Sequence, residues 1–371
     1  MLSELKELLK CLEDGLDEKK LSNAEDAHRR ALNYEEVEKL PLIVTYPYPQ
    51  DQRFMPFPHS EVFDDPEKML FNQLVDAFDT SVYLGMSIDD DLPVTIRANF
   101  GCVLVASAFG ALVQQVENNP PWIVHGNDIP YQQIIDEANV DFDKGWLKKA
   151  TSRYEFYIDV LKDYPKLQKV TNVVLPDLQG PLDNLELIRG SGVFMEMITD
   201  RDLCINALEV LANAQIEIAA HFSRFVTKRD DGLSFQHGFA IKGGILLRDD
   251  IAVMINPQMY GELVGPFEDR VLSALGGGVH SCGVVDSIVP QILSLDNIEC
   301  FDFGQAELND VESVYKMASA KKIALTRVTV TEEEIKSGKI MEKYPTGISL
   351  IFRAKSHEHA RDVVGIYKNK V

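Results

Sequence analysis

From residue 170 to its end the chain repeats one unit: a short run of apolar, β-forming residues followed by a helical stretch. TNVVLPDLQGP opens the series. GGILLRDD (243–250), GGVHSCG (277–283), IECFDFG (298–304), KIALTRV (322–328) and GISLIFRA (347–354) continue it, each with a helical pattern behind it. From 277 onward the runs start 21, 24 and 25 residues apart. That spacing accommodates one crossover helix each time, the mark of parallel strands. PLIVTY (41–46), SVYLG (81–85) and a piece at 94–97 are earlier strand candidates. About eight such strands in 371 residues predict an α/β fold, a (β/α)8 TIM barrel rather than an open sheet. No G-x-G-x-x-G follows the first strand, which argues against dinucleotide binding. GGG at 276–278 leads into a strand and reads as a tight connection.

Ahead of the barrel, assigned to 41–371, residues 1–40 read as a helical extension. Leu2, Leu5, Leu8, Leu9 and Leu12 recur at helical spacing, a stripe that packs against the outside of a domain. Behind the first strand, five prolines between Pro47 and Pro66 mark a long irregular loop, and long loops are often functional.

Charge narrows the function. Lys and Arg number 37 against 58 Asp and Glu, a formal net charge of −21. Nucleic acid and anionic membranes call for basic patches, so neither is expected as a partner. No uninterrupted apolar run nears the roughly 18 residues of a membrane helix. The acidic, amphipathic start is unlike a signal peptide. Five scattered cysteines, an odd number, suit a reducing compartment, so a cytoplasmic protein is expected.

In a barrel the working groups stand at the C-terminal ends of the strands. That rule selects Tyr46 with Gln50, Gln52 and Arg53 in the loop beyond it, then Asp177 and Gln179, then Arg248, Asp249 and Asp250. Further along come His280 and Cys282, Asp302 and Gln305, Thr326 and Arg327, and Arg353 and Lys355. The sharpest signal is His280-Ser281-Cys282-Gly283. Residues two apart in a strand share a face, so a nitrogen and a sulfur can meet at one centre, half of a zinc site. The competing reading makes Cys282 plain core and His280 a satisfied neighbour. Further ligands would come from Asp302 or Cys300 on the next strand, or from Asp249 or Asp250 on the previous one; Asp302 is the expected third ligand and Cys300 is expected in the core. Asp249 and Asp250 are the catalytic candidates, as metal ligand, holder of a cation, or proton donor and acceptor. Neighbours in a strand point oppositely, so one of the two faces the pocket. Tyr46, Arg53, Asp177, Gln179 and Gln305 are expected to bind substrate. Arg97 reads as half of a surface ion pair, and His357 and His359 as solvent-facing.

The runs DLQGPLDNLELIRGSGVFMEMITDRDLCINAL, GILLRDDIAVMINPQMYGELVGPF, GGVHSCGVVDSIVPQILSL and IECFDFG resemble the uroporphyrinogen decarboxylase-like superfamily, well over 165–371 and poorly over 41–165. The resemblance implies a (β/α)8 barrel and one of two activities. One is decarboxylation of a tetrapyrrole; the other is zinc-dependent methyl transfer from a corrinoid to a thiol. The decarboxylase carries R-Q-A-G-R after its first strand and His-Gly after its last. Here those regions read YPYPQDQRFMP, with Arg53 alone, and FRAKSHEHA. The methyltransferase branch carries His-x-Cys where this chain has His280 and Cys282, but its third ligand, a last-strand cysteine, is replaced by Ile351, Phe352 and Arg353. The resemblance therefore favours the methyltransferase branch. It implies zinc, a corrinoid methyl donor carried on a partner protein, a small-molecule substrate, and pairing into a homodimer. The alternatives are the decarboxylase, with Asp249 or Asp250 stabilising a protonated pyrrole, and a binding protein for corrinoids or tetrapyrroles that lost its chemistry.

Overall fold

The computed structural model describes residues 1–47, 53–78, 88–126, 129–136 and 140–369. The proposed strand at 81–85, and Gln50 and Gln52, lie outside them. Six parallel strands form one sheet. β1 is Leu42–Thr45; β2, Thr95–Ile96, and β3, Asn172–Val173, pair with each other instead. β4 is Ile245–Arg248, β5 Gly277–Ser281, β6 Cys300–Phe303, β7 Ala324–Thr329 and β8 Ile348–Arg353. The sheet order is β1-β8-β7-β6-β5-β4, all parallel. The fold is thus α/β with a parallel sheet, as the alternating pattern predicts.

The β2–β3 pair adjoins both edges of that sheet. Beyond β3, Gln179 bridges Arg248 in parallel, and the Gly180 N–H donates to the Arg248 carbonyl at 2.6 Å. On the other side, the N–H groups of Leu42 and Val44 in β1 donate to the carboxylates of Asp91 and Asp90, at 2.9 and 3.1 Å. These side chains supplement one backbone bond, from the Asp91 N–H to the Leu42 carbonyl at 2.9 Å.

One element was not anticipated. Leu233–Gln236 and Phe239–Lys242 form an antiparallel hairpin between β3 and β4. Its Leu233, Phe235, Phe239 and Ile241 pack among Ile43, Leu246, Cys300 and Ala324, contributed by four different strands, with Leu32 and Val174. The hairpin thus packs on one face of that sheet. Small residues make the room: Gly278, Cys300 and Ala324 stand at one level of β5, β6 and β7. Cys300 is buried there, as expected. Gly277 has φ of 128°, and a Cβ on it would collide with the Ile245 carbonyl of β4, so the tight connection depends on glycine.

The N-terminal segment divides into two helices, Ser3–Gly15 and Glu18–Leu32. Asp17 ends the gap by capping the second, accepting from the Lys20 N–H at 3.0 Å. Leu5, Leu8, Leu9 and Leu12 are fully buried in the main core. Helix Arg201–Ser223 is long and apolar enough to cross a membrane by length and composition, and half of it is buried in the fold. Its Leu208, Leu211, Ile218 and Phe222 are core residues.

Candidate metal centre

The register of the sheet assembles the site. Arg248 pairs with His280, His280 with Asp302, and Asp302 with Thr326, so four neighbouring strands present one residue each at one level. Partners in parallel register point to the same face. A bulge adds a fifth group. Between Leu325 and Val328 the β7–β8 register shifts, and Arg327 takes φ of 52°. This left-handed turn redirects Arg327 so that it joins Thr326 on Asp302 instead of alternating away.

His280, Cys282 and Asp250 converge. Cys282 Sγ lies 3.3 Å from His280 Nε2, Asp250 Oδ1 lies 3.4 Å from the same nitrogen, and all three ligand atoms fall within 4.8 Å of one another. Nitrogen, thiol sulfur and carboxylate oxygen are the donor set zinc prefers, and three protein ligands leave a position for substrate. Asp250 is held in place from two sides. Its carboxylate accepts the Cys282 N–H at 3.1 Å, and its own N–H donates to Asp183 at 3.0 Å. Gln305 fixes the exit of the loop by accepting the Gly283 N–H at 2.5 Å.

Asp302 stands behind the histidine, not beside Cys282. Oδ1 accepts from Thr326 Oγ1 at 2.7 Å and Arg327 Nε at 2.9 Å; Oδ2 meets His280 Nδ1 at 2.5 Å and a second Arg327 nitrogen. With both oxygens engaged, it orients the ring and does not enter the donor set expected from sequence. Burial opposes its charge, yet the Arg327 guanidinium and His280 ring hold it well below the usual carboxylate range. Burial first, then the Asp250 carboxylate, push the Cys282 thiol up to about 12. At neutral pH Cys282 is therefore a thiol.

Asp249 points away from this trio into the interior, between Asp183 and Glu268. Neither of its oxygens meets an N–H or hydroxyl among the described residues. Burial and then the Glu268 carboxylate raise its pKa well above the usual range.

The other expected substrate residues are spread more widely. Asp177 is partly buried between Arg97 and Arg248, with Arg248 Nε at 2.9 Å. Burial works against its charge, but the two guanidiniums hold it well below the usual range. Arg97 is 7% exposed, an interior pair and not the surface pair expected. Gln179 is buried, its carbonyl accepting from Asn184 and Gln215. Arg53 is not brought to the site: it is exposed, pairs with Glu7 and lies over the Phe54 ring. Tyr46 packs edge-on against His357 at 5.6 Å, which buries that histidine; His359 bonds Glu332 at 3.2 Å. Arg353 pairs with Glu307.

A cavity of about 270 Å³ adjoins the centre, lined by Ile43, Val44, Thr45, Thr95, His237 and Arg327 among others. His237 stands at the tip of the hairpin. The turn is fixed by the Gly238 N–H, which donates to Thr95 Oγ1 at 2.8 Å, and by Arg327 lying 4.0 Å over the Phe239 ring. Burial, then the Arg97 guanidinium, push the His237 pKa down to about 3. Sequence reasoning passed over His237, although FQHGF carries its signal: His-Gly between two alternating apolar runs is a hairpin turn.

No family model matches the chain, and no curated protein matches it by sequence. Nineteen solved chains match it in structure. One is a methyltransferase from Methanosarcina mazei, with a TM-score of 0.65, 16% identity, and coverage of 93% of this chain and 98% of that one. At that identity the likeness is one of fold.

Proposed function

We propose that the protein is an enzyme of methyl transfer built on a closed (β/α)8 barrel of the uroporphyrinogen decarboxylase-like superfamily, using zinc to present a thiol acceptor to a corrinoid-bound methyl group. The convergence of Asp250, His280 and Cys282 carries this reading, with Asp250 supplying the ligand that the last strand lacks. A zinc ion bound there keeps a coordinated thiol as thiolate at neutral pH. The remaining work belongs to the chain. Asp302 accepts from His280 Nδ1, which leaves Nε2 as the lone-pair nitrogen facing Cys282. Arg327 and Thr326 pin Asp302, and Asp183 pins the turn that carries Asp250.

Exposed Met254, Val284 and Leu308 lie just beyond β4, β5 and β6, in the loops that leave those strands. They offer an apolar rim to a corrinoid protein docking over the centre. The fold shared with the Methanosarcina mazei methyltransferase supports methyl transfer over decarboxylation. So does Arg53, the candidate carboxylate holder, which stands outside the site. A cytoplasmic homodimer accompanies this reading.

The test is metal content by elemental mass spectrometry, beside methyl transfer from methylcobalamin to small thiols. Near-stoichiometric zinc is expected in the native protein and its loss in Cys282→Ser and His280→Ala. Zinc absent from the native protein, or unchanged in both variants, would sink the reading.

A further inference from the structure

The cavity beside the metal centre is lined by side chains of opposite charge. Apolar Ile43, Val44 and Ile351 form part of its wall, while Asp76, His237 and Arg327 face it with polar groups. Asp76 has no hydrogen bond or ion pair among the described residues, and neither has His237. Both side chains are exposed on this open cavity. The cations that act on Asp76 electrostatically are Arg97 and His59. Arg327 gives Nε and one terminal nitrogen to Asp302, which leaves its other terminal nitrogen for the cavity. The same guanidinium lies 3.5 Å from His280 Nδ1, so the cavity and the metal centre share a wall. Exposed groups of opposite charge around one concave site favour an occupant whose charges match them.

We propose that this cavity binds the non-reacting end of the acceptor, and that the acceptor is a small zwitterion, its ammonium on Asp76 and its carboxylate on Arg327 beside the His237 ring. The proposal rests on the thiol reading above and narrows the acceptor to an amino-acid thiol. A purely anionic tail would meet the Asp76 carboxylate, and a purely cationic one the Arg327 guanidinium, so each pays a repulsion that a zwitterion avoids. The apolar wall suits the short methylene chain between the head and the sulfur. A cavity of about 270 Å³ suits a molecule of that size.

Calorimetric titration of the full chain, zinc-loaded and metal-free, tests this with four probes. L-Cysteine carries all three groups, 3-mercaptopropionate lacks the amine, cysteamine lacks the carboxylate, and S-methyl-L-cysteine lacks the free thiol. L-Cysteine is expected to bind zinc-loaded protein at least about tenfold tighter than either truncated thiol. Asp76→Asn should abolish its advantage over 3-mercaptopropionate, with the latter binding more tightly once the carboxylate repulsion is gone; Asp76→Ser serves if the first variant folds poorly by thermal melting. S-Methyl-L-cysteine should bind metal-free protein and lose that binding in Asp76→Asn. If it does so while zinc adds nothing for L-cysteine, the pocket stands and the metal reading falls. Equal affinity for the three thiols, equal weakening of L-cysteine and 3-mercaptopropionate by Asp76→Asn, or no binding of any probe overturns the proposal.

Discussion

Asp302 illustrates how much a residue's role depends on what surrounds it. From sequence it is a strand-end carboxylate two residues from a cysteine; in the fold it is fully buried and saturated by His280, Thr326 and Arg327. Asp302→Asn should lower zinc affinity about 10- to 100-fold through the loosened histidine, read by competition with a chelating dye. Asp302→Ala, which strands the Arg327 charge, should also cost roughly 3–5 kcal/mol of stability in urea. A second expectation concerns pH. With its pKa raised to about 12, Cys282 in metal-free protein is almost all thiol at pH 8. Alkylation followed by peptide mass analysis should find it slower than a free cysteine by well over tenfold, the thiolate fraction growing as pH approaches 12. Rapid labelling at pH 8 would contradict this. The H-x-C pair was legible because strand periodicity is local. That Asp250 joins it, while Asp249 turns inward beside Glu268, depends on where β4 ends against β5.

Among the elements, the hairpin on the sheet's inner face does the most to shape the site. It fills the interior with Phe235 and Phe239 and delivers His237 to the cavity. Phe239→Ala removes a fully buried ring that also supports Arg327, so about 3–5 kcal/mol should be lost in urea unfolding, together with weaker ligand binding. Unchanged stability would mean that the hairpin is not packed as described. The other strands were readable because each is a contiguous apolar run. β2 and β3, two residues each, were visible mainly as pieces of longer stretches. Their short ladder is supplemented by side chains and by the Gln179–Arg248 bridge, long-range contacts that leave no periodic trace.

At the scale of the whole molecule, the N-terminal helices belong to the core. Leu5, Leu8, Leu9 and Leu12 are buried, and Leu32 meets the hairpin cluster. His28, on the second of these helices, is fully buried, its Nε2 2.8 Å from the Asp91 carbonyl. Burial lowers its pKa from 6.5 to about 4. The unfolded chain therefore binds the proton first. Stability should fall as pH drops from about 6.5 to about 4, by roughly 3 kcal/mol in all, and His28 adds nothing further below that. Thermal midpoints of native protein and His28→Gln across that window should converge toward the acid end. Parallel curves would remove His28 as the cause.

What the chain determined by itself is what repeats over short distances: the alternation of strand and helix, the shared face of His280 and Cys282, and the apolar stripe of the first helix. Each follows from a local period of two or 3.6 residues, fixed by backbone geometry. Only the tertiary structure decided that Asp250 completes the trio, that Asp302 serves the histidine from behind, and that a hairpin brings His237 and Arg327 to one cavity. Those outcomes depend on strand register, on a single bulge at Arg327 and on room left by Gly278, Cys300 and Ala324. They are set by contacts between residues far apart in the chain, where sequence spacing carries no information about distance.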